Sequence, residues 1–198
     1  MTNTTVANVV FTISTQTIFL TIAGYFILGE KISLIAFISV ILAMTGVGIM
    51  FGYSVSNGNL FGNLVALAIP INFSILVMII RKFPTLDMVP AILYSGIFSF
   101  FYGLIFSESL NFSNHDILMG FLLGVPQLAF GFICITIGSK TTRATTVGLL
   151  MLTETIFAPI WVWLFLNEIP PLSVFIGGMI IILAILLKSF DRNSSLAA

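Results

Sequence analysis

Apolar residues along this chain come in long blocks, not in the alternation of a half-buried strand or the narrow stripe of a surface helix. Seven blocks can be drawn, at about 6–28, 34–53, 60–80, 88–106, 117–138, 145–166 and 172–187, separated by short polar stretches such as Gly29-Glu30-Lys31, SVSNGN and RKFPTLD. Each approaches the ~20 residues with which a helix crosses hydrocarbon, whereas a barrel strand needs only ~9–11 alternating residues. The pattern predicts an all-α membrane protein, a polytopic helix bundle of seven transmembrane helices.

Composition agrees with that class. With 59% hydrophobic and 7% charged residues, the chain lacks the polar surface that a water-soluble domain of 198 residues presents. Seven basic residues balance seven acidic ones, so net charge gives no case for a nucleic-acid partner. The lone Cys134 excludes an internal disulfide, and with a single His it writes no zinc set. No nucleophile–base pair and no Gly-rich phosphate loop is visible. No catalytic residue, metal or cofactor is therefore expected, and an enzyme is the least favoured class. The polar start, MTNTT, is not the basic n-region of a signal peptide.

Charge placement sets orientation. Lys31, Arg81, Lys82, Lys140, Arg143, Lys188 and Arg192 all follow the first, third, fifth and seventh blocks. The intervening loops carry Glu108, Asp116 and Glu168 and neither Lys nor Arg. The positive-inside rule makes the basic side cytoplasmic, with the N-terminus outside and the C-terminus inside. One missed or invented span would scramble this segregation.

The sixth block holds a single ionisable group, Glu154. An acid at mid-membrane costs roughly 2.5–3.5 kcal/mol and usually faces a bundle interior or a wet cavity. Glu154 is therefore the leading candidate for binding a proton or a cationic or hydroxylated group of a substrate, against the plainer reading of a buried hydrogen-bonding acid. Trp161 lies one heptad further on roughly the same face. Gln16, Asn72 and Gln127 are the other polar candidates at membrane depth, set against a role as interhelical glue of ~0.6 kcal/mol. Asn72, Gln127 and Glu154 each lie within a few residues of Pro70, Pro126 or Pro159, where a lost backbone bond frees a carbonyl. In the fifth block Gly120, Gly124, Gln127, Gly131, Cys134 and Gly138 recur on one face, a pattern expected to pack closely on a neighbour. Ala36, Ser39, Ala43 and Gly46 form a similar packing stripe in the second. Glu30 and Glu168 end helices, where a solvated or capping role is expected.

Two parts of the chain are alike. Laying Thr15-Gln16-Thr17-Ile18-Phe19 over Thr153-Glu154-Thr155-Ile156-Phe157 also brings Leu28 onto Leu166, Glu30 onto Glu168 and Leu34 onto Leu172 without a gap. The basic residues put Lys31 on one side and the matching LNEIPP loop on the other, so the repeats cross in opposite senses. That is an inverted-topology repeat, whose substrate site lies near mid-membrane at the repeat interface.

The span that begins TTVANVVF, closes with Leu-Gly-Glu-Lys at 28–31 and is followed by Gly-Val-Gly at 46–48 resembles the EamA family of the drug/metabolite transporter superfamily. So does the second repeat, with Glu154, Pro159, Leu-Asn-Glu at 166–168 and Gly177-Gly178. The resemblance implies a ten-helix fold of two inverted five-helix halves, of which this chain matches helices four to ten and lacks the first three. Residues 1–53 then correspond to the end of the first repeat, 54–190 to a complete second repeat and 191–198 to a cytoplasmic tail. A proline frequent in the family's fourth helix is absent, and Thr17 and Thr21 stand there instead.

The reading that follows is a secondary transporter, an exporter or permease of an amino acid or other small polar metabolite, in the inner (cytoplasmic) membrane. Its partners are the lipid bilayer, the metabolite and protons, with room for a homodimer. The alternative is a non-transporting membrane subunit or an inactive fragment.

Overall fold

The computed structural model describes residues 6–51, 60–107, 113–167 and 169–191. The SVSNGN loop, Glu108, Glu168, Arg192 and the 192–198 tail lie outside the described residues. Within them the chain is all helical: α1 (Val6–Ser14), α2 (Gln16–Leu28), α3 (Leu34–Phe51), α4 (Leu60–Lys82), α5 (Val89–Phe106), α6 (Asn114–Leu122), a π-helical segment (Leu123–Ala129), α7 (Phe130–Ser139), α8 (Ala144–Leu166) and α9 (Leu172–Ser189). Among the described residues seven spans are long and apolar enough to cross a membrane, as the block pattern predicts.

Helix ends follow local chemistry. Gly29 closes α2 in the left-handed region at φ 66°, and Glu30 N–H donates to the Gly24 carbonyl at 3.0 Å. Asn167 closes α8 in the same region at φ 54°. Ser113 opens α6 with a capping box: its hydroxyl accepts from Asp116 N–H while Asp116 accepts from Ser113 N–H. The first apolar block divides at Thr15. There Ser14 Oγ donates to the Val10 carbonyl at 2.9 Å and Thr15 Oγ1 to the Thr12 carbonyl at 2.6 Å, hydroxyl back-bonds that bend a helix.

The structure falls into two compact units, residues 1–79 with 142–198, and residues 80–141. In the first unit the matching segments keep one offset, 138 residues (172 minus 34). It carries Val6 and Leu28 onto Ala144 and Leu166, the bounds of α8, and Leu34 and Phe51 onto Leu172 and Ser189, the bounds of α9. It carries Gly29 onto Asn167, the two left-handed positions among the described residues. It also carries the Thr15→Thr12 back-bond onto Thr153 Oγ1, which donates to the Leu150 carbonyl at 2.7 Å.

Small residues set the packing of this unit. α3 and α9 run antiparallel and touch through backbone: a Cβ on Gly177 would stand 2.4 Å from the Gly46 carbonyl oxygen and 3.0 Å from Met50 N. Around that crossing Val40, Ala43, Val47 and Met50 of α3 pack with Ile181 and Ala184 of α9 and Leu149 and Leu152 of α8. The Ala36, Ser39, Ala43, Gly46 stripe is buried throughout. α2 runs antiparallel to α8, with Gly24 against Ala144 and Gly148 against Thr17. α4 adds Phe73, Val77 and Met78 over Leu20, Ala144 and Val147.

The second unit holds α5, α6, the π-helical segment and α7, and none of the window of either span it contains is buried. Pro126 sits inside the π-helical segment, where Phe130 N–H reaches back to the Val125 carbonyl. Within this unit the fifth-block glycine stripe packs on nothing. Gly120, Gly124, Gly131 and Gly138 meet nothing within 4 Å of an added Cβ. A π-turn inserts a residue into the 3.6 period, so regular steps of three and four no longer trace one face.

Gly177→Ala is expected to lower stability by ~1–3 kcal/mol, the cost of overpacking a closed contact. Gly103→Ala, whose methyl group would meet nothing within 4 Å, should be neutral or mildly stabilising. Unfolding of the two purified variants in detergent checks this, and equal stability would show that the α3–α9 crossing has slack.

Candidate functional site

A polar seam runs between the helices of the first unit. Ser14, Gln16, Thr17, Thr21 and Thr155 are all buried. Thr17 Oγ1 donates to the Gly148 carbonyl at 2.9 Å, an approach open because Gly148 has no Cβ to meet Thr17 Cα at 2.8 Å. At the other end Thr155 Oγ1 and Ser14 Oγ lie 3.4 Å apart. Thr17 and Thr155 are repeat mates, as are Val10 and Gly148, and Ser14 bonds the Val10 carbonyl. Each repeat therefore presents its threonine to the other's helix.

Gln16 opens α2 and is 4% exposed. Glu154, its repeat mate, is exposed on α8, on a face with Leu150, Phe157, Ala158 and Trp161. Within this unit Glu154 points outward, and its neighbour Thr155 takes the inward position. One residue along a helix turns a side chain by about 100°, enough to move it from seam to surface. Trp161 is 54% exposed.

Asn72 is exposed on α4, and its Nδ2 donates to the Ala68 carbonyl at 2.8 Å. Ser74 Oγ likewise donates to the Pro70 carbonyl at 2.7 Å, so polar side chains around Pro70 serve their own helix. Gln127 is exposed in the π-helical segment of the second unit. Gln16, Asn72, Glu154 and Trp161 share the first unit, and Gln127 belongs to the other.

Sequence reasoning passed over the buried charges. Lys188 and Asp191 are 4% and 2% exposed, and Lys188 Nζ lies 3.1 Å from Asp191 Oδ2. Ser33 Oγ donates to the same oxygen while accepting from Ala36 N–H at 3.0 Å, so it caps α3 and ties that helix to the end of α9. The i, i+3 spacing of Lys188 and Asp191 was a legible signal. Ser33, more than 150 residues away, was not. Glu30, expected to be solvated or capping, caps a distant helix: Ala144 N–H, at the start of α8, donates to its Oε2 at 3.0 Å. A carboxylate there meets the positive end of the helix dipole. The α2–α3 connection is thus bonded to the start of α8 and the end of α9.

Among the described residues no three His, Cys, Asp or Glu gather as a metal site would need. A groove of about 610 Å³ in the second unit lies between α5 and α7, with Ile92, Leu93, Ile97, Phe100 and Ile133 in its walls. Its apolar walls do not suit a polar metabolite.

Residues 56–190 match the EamA-like transporter family. No curated protein and no solved structure matches the chain.

Lys188→Ala should destabilise the protein by ~3–5 kcal/mol, because it removes the ammonium 3.1 Å from a buried carboxylate. The double replacement Lys188→Met with Asp191→Leu should cost less than the single one. Chemical unfolding of the three proteins decides it: equal loss in all would mean that packing, not charge, sets the cost.

Proposed function

The chain belongs to the EamA-like transporter family, and from that premise we propose that it is a secondary transporter carrying a small polar metabolite, of the amino-acid class, across the cytoplasmic membrane. The observation that carries the reading is the single offset relating α1–α2–α3 to α8–α9, down to the paired left-handed caps at Gly29 and Asn167. Repeats of opposite sense are the architecture with which transporters expose a mid-membrane site to either side in turn. Residues 1–53 are the end of the first repeat, 54–190 the second, and 191–198 a cytoplasmic tail. Glu154 binds a proton or a cationic or hydroxylated substrate group, beside Trp161. Gln16 and Asn72 are further polar positions of the same unit, and Gln127 is the corresponding candidate in the other. Export is the proposed direction. The exposure of Glu154 favours one second reading, a membrane subunit that does not itself transport.

Proteoliposomes containing the chain should take up a radiolabelled amino-acid mixture saturably. Glu154→Gln, which keeps the shape and removes the ionisable proton, should reach the membrane normally and lose that uptake. No flux above empty vesicles favours the subunit reading, and full flux in Glu154→Gln removes Glu154 from the mechanism.

Orientation is tested on a Cys134→Ala background with Thr85→Cys and Ile169→Cys, one in each class of loop. In intact cells an impermeant maleimide should label Ile169→Cys and spare Thr85→Cys, since the basic loops are inside. The opposite labelling reverses the topology.

A further inference from the structure

At one end of the first unit the connection between α2 and α3, residues 29–33, is bonded to two helices distant in sequence. Glu30 Oε2 accepts from Ala144 N–H at 3.0 Å, and Ser33 Oγ donates to Asp191 Oδ2, which Lys188 Nζ reaches at 3.1 Å. The seat of Glu30 depends on Gly24. A Cβ on Gly24 would stand 2.9 Å from Ala144 Cβ and 3.1 Å from Glu30 Oε2, so a side chain there would crowd both the start of α8 and the carboxylate that holds it. The repeat makes this arrangement one-sided, because its offset carries Ser33 onto Pro171, Lys188 onto Met50 and Gly24 onto Val162. At the opposite end there is thus no hydroxyl in the place of Ser33, no ammonium in that of Lys188, and a branched side chain in that of Gly24.

We infer that residues 29–33 are a releasable strap: Ser33, anchored to Asp191 at the end of α9, positions Glu30 to hold the start of α8 against α2, and release of Glu30 parts α2 from α8 at this end alone. Gly29, Lys31 and Ile32 around the two bonds are exposed, so water can replace either partner as the strap lets go, a replacement that a bilayer core denies to the Thr17–Gly148 bond. A carboxylate at a helix N-terminus biases an equilibrium by only about two- to five-fold, which is small enough to be undone reversibly. The α3–α9 crossing at Gly46 and Gly177 has no such exchangeable part, since backbone meets backbone there. Inverted repeats expose a site to one side at a time, which requires one end to part while the other stays shut. The strap draws its purpose from the transporter reading, but its opening is measured without substrate, so failure of the strap and failure of transport are separate results.

The test is the rate at which a water-soluble maleimide labels buried cysteines in membrane fragments open to both sides, on a Cys134→Ala background. Val147→Cys reports the strapped end, since Val147 packs with Leu20 and Ala144, and Val47→Cys reports the α3–α9 crossing. Glu30→Ala should speed labelling of Val147→Cys by about ten-fold, as loss of a hydrogen bond to a charged group does, and leave Val47→Cys as slow as before. Glu30→Gln, which still accepts the N–H but carries no charge, should fall between. Ser33→Ala should also speed labelling of Val147→Cys, yet add nothing on top of Glu30→Ala, because Ser33 acts by positioning Glu30. An unchanged rate in Glu30→Ala overturns the inference. So does parallel acceleration at Val47→Cys, the mark of general loosening, or a multiplication of the Glu30→Ala and Ser33→Ala effects, the mark of two independent contacts.

Discussion

Backbone contact between α3 and α9 at Gly46 and Gly177 is the constraint on which the first unit depends. In a bilayer the surrounding tails are as apolar as leucine, so helices gain by close approach and not by escaping water. Close approach demands small residues, and the repeat supplies them in mates. The counterpart of Gly46 is Ala184 and that of Gly177 is Ser39, and all four are buried. The Ser39 hydroxyl is buried with no hydrogen-bond partner among the described residues, which fits a position chosen for size and not for polarity. A larger side chain at any of the four would push the helices apart and loosen Leu149, Leu152 and Ile181, which pack around the crossing.

Two halves of one sequence that run in opposite senses can share a backbone plan while differing in every side chain that matters for chemistry. The plan is shared in helix bounds, in the caps at Gly29 and Asn167 and in the hydroxyl back-bonds of Thr15 and Thr153. The chemistry is not. Gln16 is buried where Glu154 is exposed, and the pair Lys188–Asp191 has Met50 and Tyr53 as its counterparts in the first repeat. These departures distinguish the two copies, which a strictly symmetric pair would leave chemically equivalent.

The spans were legible because each apolar block ends at a residue that cannot continue it: Gly29, the polar stretch before Leu60, or the paired prolines before Leu172. The repeat was legible because its polar matches fall at one spacing. The break at Thr15 was not, since hydroxyl back-bonding bends some helices and leaves others straight, as Thr153 in continuous α8 shows. Nor was the π-helical segment at Pro126: a proline removes one donor, but a kink and a widened turn both accommodate that loss, as Pro70 and Pro159 inside regular helices illustrate. The direction in which Glu154 points depends on which neighbours flank α8, and block hydrophobicity on all sides of that helix carries no such information.

Lys188 shows how one residue can satisfy two demands at different stages. An orientation signal acts as helices enter the bilayer, when α9 stands alone and the Lys188 ammonium is a cation that resists crossing. Helices associate afterwards, and only then do Ser33 and α3 arrive to complete the environment of Asp191. The folded pair is neutral and buried, so it adds nothing to surface charge, yet it fixes the register of α3 against α9 at the end remote from the Gly46–Gly177 contact. Two fixed points along one antiparallel pair leave it no freedom to slide, which makes α3 and α9 the rigid axis of the first unit against which any movement of α8 and Glu154 must be measured.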